Sequence, residues 1–436
     1  MQAKFLHIAD CHLGYFQYRS RDRFNDFAKA FHAAIKVAID ERVDFVALAG
    51  DLFEKRSIDA LTLNQAIAGL EKLKEAGIPC LAVEGNHEHQ YYLETLGWMQ
   101  FLAVRDLLIL LDTPFAAGVP QIKPYANRRG SYIEPKPGLR VYGLRYLGAS
   151  APNALAAVAE ALAETPADGI EYTIFMTHAG IEGVLPEQMG GLSPIQLAGL
   201  RPYVDYVALG HIHKPYEVDG WIYNPGSLET CSAMEASWPE RGCYVVEVDT
   251  ARAGEGEPKH MATLRPVPRR AFHRLSMKTD LYSGPDEFYA ACRQYLERRA
   301  RDLGAKRHGA ADAPVVELQL TGVLPFDRSD LDMNAVEATV REVFTPLTAL
   351  VRNLTTAAEY AVEAGENVSR PVLERRVMAD LFARDVRYRE KSELYARLAL
   401  GLKQLALDGA SPEAIVEDLD HEMRAIDEAP IPQAEE

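Results

Sequence analysis

Along the first 250 residues, short apolar runs take turns with stretches in which apolar side chains recur every three or four positions. Residues 4–9 (KFLHIA), 44–49 (DFVALA) and 79–83 read as buried strands. Phe24, Phe27, Phe31, Ile35 and Ile39 fall at helical spacing and predict an amphipathic helix over 24–40. A second helix is predicted over 59–76, ending before Gly77. Further strands are predicted at 107–111, 140–144, 172–176, 203–209, 221–223 and 242–248. This alternation predicts a layered α/β domain with largely parallel strands. The repeated strands between 203 and 248, with no helix among them, predict a second, more antiparallel sheet packed against the first.

The rhythm changes after Pro266. Strands at 271–277, 314–321 and 347–354 and helices at 285–303 and 334–344 make a small α+β unit, so the domains are read as 1–264 and 265–357. Residues 360–369 are polar and are expected to form a linker. Residues 370–427 read as helical, with Leu394, Leu398, Leu402 and Leu405 on one face and a break at 408–412. The tail 428–436 is expected to be disordered. No apolar run approaches the ~18–20 residues of a membrane span, and the N-terminus reads as a strand instead of a signal peptide. Five scattered cysteines without a CxxC pair agree with a reducing compartment. The expected location is the cytoplasm.

Composition adds two constraints. The chain has 436 residues, 48% hydrophobic and 25% charged, which excludes disorder throughout and favours more than one core. Its formal charge of −16 excludes nucleic-acid binding by bulk basicity. The charge is uneven, however: residues 265–307 hold 11 Lys/Arg against 5 Asp/Glu, and 411–436 hold 1 Arg against 9 Asp/Glu. Arg269, Arg270, Arg298 and Arg301 are therefore candidates for phosphate contacts, although part of that stretch must be a solvated helix face.

The candidate chemistry sits where the predicted strands end. Asp10-Cys11-His12, Gly50-Asp51 and Gly85-Asn86-His87 follow the first three strands. Thr177-His178 follows the strand 172–176, and Gly210-His211-Ile212-His213 follows the strand ending at Leu209. Each piece alone has a bland reading as a turn or a helix cap. Together they place five sets of metal-binding side chains on one rim, because ligands of layered α/β sheets bind outside the carboxyl ends of the strands. Such residue types suit two divalent cations, about 3.5–4 Å apart, that clamp the attacking and leaving oxygens of a phosphoryl displacement. Asp51 is the natural bridging carboxylate. Asp10, His12 and His213 would complete one shell, and Asn86, His178 and His211 the other. A mixed imidazole, carboxylate and amide set without thiolate suits Mn²⁺, and less specifically Fe²⁺ or Zn²⁺. His87 need not bind metal and is free to stabilise developing charge or to protonate the leaving alkoxide. Cys11 is expected to point away from the rim as a buried thiol.

These motifs resemble the calcineurin-like metallophosphoesterase superfamily. More narrowly, FLHIADCHLGY, VDFVALAGDLFEKR, GNHE, TH and LGHIHKP with YNPGS are similar to the DNA double-strand-break repair nucleases, bacterial SbcD and its Mre-type relatives. The resemblance implies a two-sheet αββα layered metallophosphoesterase core, a small α+β capping domain that guides DNA, and C-terminal helices that dock on an SMC-like coiled-coil ATPase (SbcC or Rad-type). It also implies a homodimer with two Mn²⁺ ions per site. The activity would be exonucleolytic on double-stranded ends and endonucleolytic on single strands or hairpins, in a cytoplasmic, nucleoid-associated setting. Two other functions share the motifs: a phosphodiesterase of small molecules such as cyclic nucleotides, and a DNA-end tether with weak catalysis. One position departs from the family's pattern, which often has a second histidine where this sequence has Glu54. A carboxylate there either repels the substrate phosphate or pairs with Lys55 or Arg56 at the surface.

Overall fold

The computed structural model describes residues 1–88, 96–185, 191–238, 240–304, 312–357 and 370–428. The expected linker 360–369, the tail beyond 428, and Lys306 and Arg307 of the basic stretch lie outside these residues. In chain order, the strands up to residue 266 are β1 (Gln2–Ile8), β2 (Phe45–Leu48), β3 (Cys80–Ala82), β4 (Ile109–Leu110), β5 (Phe115–Ala116), β6 (Val119–Pro120), β7 (Tyr132–Lys136), β8 (Leu139–Leu144), β9 (Tyr172–Thr177), β10 (Tyr206–Leu209), β11 (Tyr216–Val218), β12 (Ile222–Asn224), β13 (Gly242–Asp249) and β14 (His260–Pro266). The helices among them are α1 (Arg21–Asp40), α2 (Ala60–Glu75), α3 (Trp98–Val104), α4 (Ala151–Glu164) and α5 (Pro194–Ala198). One six-stranded sheet has the order β14-β13-β1-β2-β3-β4 and the other β11-β12-β10-β9-β8-β7, while β5 and β6 pair separately.

Strand periodicity explains the layering. Successive side chains of a strand point to opposite faces. On β1 and β2, Phe5, Phe45 and Ala47 face the second sheet, where they meet Ile174, Met176, Tyr206 and Ala208. The alternate residues Leu6, Ile8, Val46 and Leu48 face Phe31, Ile35, Leu70 and Leu73 of α1 and α2. Phe175, Val207 and Leu209 face Leu155, Val158, Leu162 and Leu197 of α4 and α5. The result is the helix–sheet–sheet–helix stack expected from the sequence. Each such buried apolar side chain contributes about 1.5–3 kcal/mol before entropy is counted.

Two expectations need correction. The second sheet is not mainly antiparallel: β8, β9, β10 and β12 run parallel, and only the β7–β8 and β11–β12 edges are antiparallel. The parallel centre requires crossover helices, and α4, an alanine-rich segment with Leu155, Val158, Ala159 and Leu162 on its buried face, supplies one. The strand β13 does not join that sheet either. It pairs antiparallel with β1, placing Tyr244, Val246 and Val248 between the sheets.

One buried histidine ties the sheets together near the candidate rim. His7 of β1 contacts Tyr206 Oη at 3.0 Å and the Leu209 carbonyl at 2.9 Å, both on β10. Full burial pushes its pKa down to about 3. The unfolded chain therefore binds a proton that the folded chain excludes between pH 6.5 and 3, so stability is lost as pH falls through that window. His7→Gln, which can still hydrogen-bond but does not titrate, is expected to flatten the acid limb of a plot of denaturation midpoint against pH. An unchanged slope contradicts this assignment.

After residue 266 the elements are β15 (Phe272–Lys278), α6 (Pro285–Asp302), β16 (Val315–Thr321), β17 (Val323–Leu324), α7 (Met333–Phe344), β18 (Thr348–Asn353), β19 (Thr356–Ala357), α8 (Arg370–Arg384), α9 (Ser392–Leu407) and α10 (Pro412–Glu428). Packing divides the chain into Met1–Ser276 with Arg293–Gln319 and Asn334–Arg352, and a second unit of Met277–Cys292, Leu320–Met333 and Asn353–Glu436. This partition runs through the 265–357 segment instead of along its edges. In the second unit the helical region breaks near 385–391 as well as at 408–411. Tyr395, Leu398 and Ile426 form its core, with Leu394 and Leu402 packed against them beside Phe382, Leu419 and Met423. Most of the leucine stripe of α9 thus faces α8 and α10. Val377 and Leu381 of α8 stand exposed.

Candidate metal centre

Five strand ends deliver the candidate side chains to one rim of the sandwich, and the backbone there is tightly bent. Asp10, His12, Asp51 and His211 all have positive φ (52°, 47°, 53° and 84°), a left-handed conformation that costs non-glycine residues about 1–3 kcal/mol each. Neighbouring glycines make room for them. A Cβ on Gly85 would lie 2.0 Å from Asp51 Oδ1, and one on Gly50, with φ of +87°, would lie 2.4 Å from His178 Nδ1. Glu88 fixes two of the loops: its buried carboxylate accepts hydrogen bonds from the backbone N–H groups of Asp51, Phe53 and Gly85 at 3.2, 3.0 and 3.0 Å.

The seven candidate ligands converge. On one side, His12 Nε2 lies 3.0 Å from His213 Nε2, and these two nitrogens are 3.8 and 3.9 Å from Asp10 Oδ1. Ligand atoms of Asp10, His12 and Asp51 lie within 4.8 Å of one another. On the other side, Asn86 Oδ1 is 3.1 Å from His178 Nε2 and 2.9 Å from His211 Nδ1, and Asp51 Oδ2 is 3.2 Å from His178 Nε2. Asp51 therefore stands between the two groups. Its burial opposes ionisation, but the adjoining His178 holds its carboxyl well below the usual carboxylate range.

Hydrogen bonds behind the rim decide which ring atoms face it. His178 Nδ1–H donates to the Ala49 carbonyl at 2.7 Å, which turns Nε2 toward Asp51 and Asn86. Nε2 thus faces the oxygens of both Asp51 and Asn86, donor atoms gathered where a divalent cation would replace the ring proton. His213 Nδ1–H donates to Glu235 Oε1 at 2.9 Å, and Arg241 holds Glu235 Oε2 at 2.6 Å. Burial works against the Glu235 charge, yet His213 and Arg241 pull its pKa down to about 2. This is the carboxylate–histidine support that orients metal-binding imidazoles. The donor set, rich in lone pairs and backed by acceptors, fits divalent cations.

His87 is placed differently. Its Nδ1–H donates to the Glu54 carbonyl at 2.6 Å, and Nε2 stands 3.9 Å from Asp51 Oδ2. Its side chain is 34% exposed, against 2% for His12 and 0% for His178, so it faces the open side of the pocket. The Glu54 side chain turns inward: Oε2 lies 2.9 Å from His12 Nδ1. Tyr146, which the sequence reading did not single out, walls the other side with its ring 5.4 Å from that of His211. Glu88, Glu235 and Arg241 were also missed. Glu88 alone had a signal, standing directly after Gly85-Asn86-His87.

The candidate phosphate-binding arginines fare unevenly. Arg298 and Arg301 of α6 are exposed, and Arg269 is half-buried. Arg270 is buried, with its guanidinium bonded to both oxygens of Asp26 and to the Ala313 carbonyl. It anchors the chain and is not available to phosphate, which corrects that expectation.

Comparison with known proteins follows the same lines. Residues 3–215 match the family described as calcineurin-like phosphoesterase. The DNA double-strand break repair protein Mre11 of Archaeoglobus fulgidus is 30% identical over 254 residues, 54% of this chain and 52% of that protein. The protein of the same name from Saccharolobus solfataricus is 30% identical over 215 residues, 49% of this chain and 50% of the relative. That of Aeropyrum pernix is 26% identical over 70% of each chain. This chain thus spans about half the length of the first two.

Proposed function

We propose, from the premise that residues 3–215 are a calcineurin-like phosphoesterase domain, that this protein is a Mn²⁺-dependent DNA nuclease acting in break repair. It removes nucleotides from double-stranded ends and cuts single strands or hairpins. The observation that carries the reading is the convergence of Asp10, His12, Asp51, Asn86, His178, His211 and His213 on one rim, in a chain whose relatives bear the name of a double-strand-break repair protein. Two divalent ions bound there would supply Lewis-acid polarisation of a phosphoryl oxygen and a more acidic water.

The chain's own groups do the rest. Asp51 spans both halves of the pocket. Ala49 and Glu235 lock His178 and His213 in the tautomer that presents Nε2. His87 keeps Nδ1–H on the Glu54 carbonyl, so Nε2 is the atom that holds the proton for the leaving alkoxide or for a non-bridging oxygen. Glu235→Gln is expected to weaken Mn²⁺ binding at the Asp10/His12/His213 half about 10–100-fold. Calorimetric titration of the metal-free protein reads this directly, and an unchanged affinity removes Glu235 from the account.

The partners belong to the same proposal. Arg298 and Arg301 of α6 contact DNA phosphates, two copies of the chain pair, and α8–α10 dock on an SMC-like coiled-coil ATPase. Val377 and Leu381 on α8, left exposed while the α9 stripe is covered, support α8 as the contact. Among the described residues no helix is long and apolar enough to cross a membrane, and the proposed setting is the cytoplasm, at the nucleoid. The test is a substrate panel with Mn²⁺: linear duplex DNA, covalently closed DNA, bis-(p-nitrophenyl) phosphate and cyclic nucleotides. Degradation of linear duplexes is expected. Rapid turnover of a cyclic nucleotide with intact DNA would replace this reading by that of a small-molecule phosphodiesterase.

A further inference from the structure

A thiol that the seven-ligand set does not use stands at the His12/His213 half of the pocket. Ligand atoms of His12, His213 and Cys231 all lie within 4.8 Å of one another. Cys231 is partly exposed, whereas Cys11, Cys80, Cys243 and Cys292 are buried. Its backbone is fixed on both sides: its N–H donates to Glu235 Oε2 at 2.9 Å, and its carbonyl accepts from Gln17 Nε2 at 2.6 Å. Glu235 therefore sets both neighbours, with Oε1 on His213 and Oε2 on Cys231. His12 is 1% exposed, with Nδ1 held 2.9 Å from Glu54 Oε2 and Nε2 turned to His213 Nε2 at 3.0 Å.

Two imidazoles, one thiol and the nearby Asp10 carboxylate make an N,N,S,O set. Such a four-ligand set suits a tetrahedral, thiophilic ion such as Zn²⁺ or Co²⁺. Mn²⁺ prefers oxygen and nitrogen and gains little from sulfur. Resting on the reading of this pocket as a two-metal centre, we propose that Cys231 is a thiolate ligand that makes the His12/His213 half selective for a thiophilic divalent ion. The other half, with Asn86, His178 and His211, has no thiol and keeps its preference for a harder ion. Binding replaces the S–H bond by a sulfur–metal bond and releases the proton to solvent.

The test is Co²⁺ titration of the metal-free full chain, followed by absorption. The parent protein is expected to show a near-ultraviolet thiolate-to-cobalt band together with the weaker visible bands of cobalt in a protein site. Cys231→Ser is expected to lose the near-ultraviolet band, keep visible absorption, and bind Zn²⁺ at least about tenfold more weakly, since even loss of a group that only orients a ligand costs 10–100-fold. Mn²⁺ affinity is expected to be unchanged. A second arm needs no variant: iodoacetamide should label Cys231 in the parent, with Zn²⁺ but not Mn²⁺ blocking the reaction. Visible cobalt bands without a thiolate band, or labelling at the same rate with and without Zn²⁺, overturn Cys231 as a ligand and leave the two-metal reading standing. Failure to bind cobalt at all overturns both.

Discussion

His87→Ala is expected to lower hydrolysis of linear DNA by about 10²–10⁴-fold, the range that a positioned general acid supplies, while the protein keeps its full complement of Mn²⁺. The geometry separates the two effects. His87 lies outside the seven-ligand set, although a ring nitrogen of it lies within 4.8 Å of ligand atoms of His12 and Glu54, and its Nδ1 is occupied by the Glu54 carbonyl at 2.6 Å. Its side chain, 34% exposed, is more open than those of His12, His178 and His213. Removing it leaves the donors in place and takes away only the proton. Single-turnover cleavage of an end-labelled duplex, with manganese content measured on the same sample, decides the matter. Parental activity in the variant removes His87 from catalysis, and loss of manganese makes it a ligand instead.

Asp51→Asn is expected to act on the metal itself. Asp51 reaches both halves: it shares a cluster with Asp10 and His12, and its Oδ2 lies 3.2 Å from His178 Nε2. Asparagine tolerates the left-handed φ of 53° at this position, so the loop survives the change. What is lost is a bridging negative charge. Manganese content should fall from two ions per chain to one or none. Activity should fall by about 10³-fold or more, since several kcal/mol of charge stabilisation go with the metal pair. The thermal midpoint of the metal-free variant should fall as well, because the change removes one partner of the buried Asp51–His178 pair. Retention of two ions would show that Asp51 does not bridge.

The rim was legible because each candidate ligand follows a strand whose apolar run is unambiguous. β1, β2, β3, β9 and β10 all appear where the sequence placed strands, and the residues just past them meet in space. The supporting residues were hidden because no periodicity or motif marks them before their partners are known. Glu235 is recognisable only beside His213 and Arg241, 22 and 6 positions away, and Cys231 only beside His12, more than 200 positions away. The misreading of Arg270 has the same origin: its partner Asp26 is 244 positions away, so nothing local marks the arginine as buried. Sheet direction failed because the chain between 203 and 248 carries no helical pattern, yet β10 and β12 pair parallel there, with β11 set antiparallel on the outer edge. The leucine stripe of α9 was correctly seen as one face, but periodicity alone does not say what covers it.

Crystals soaked in manganese and measured at its absorption edge put the central claim to the test. The anomalous-difference map should hold two peaks about 3.5–4 Å apart, one against Asp10, His12 and His213 and the other against Asn86, His178 and His211, with Asp51 touching both. A pocket without peaks, in crystals shown by an occupied reference site to have taken up manganese, would contradict the assignment of these seven side chains as ligands.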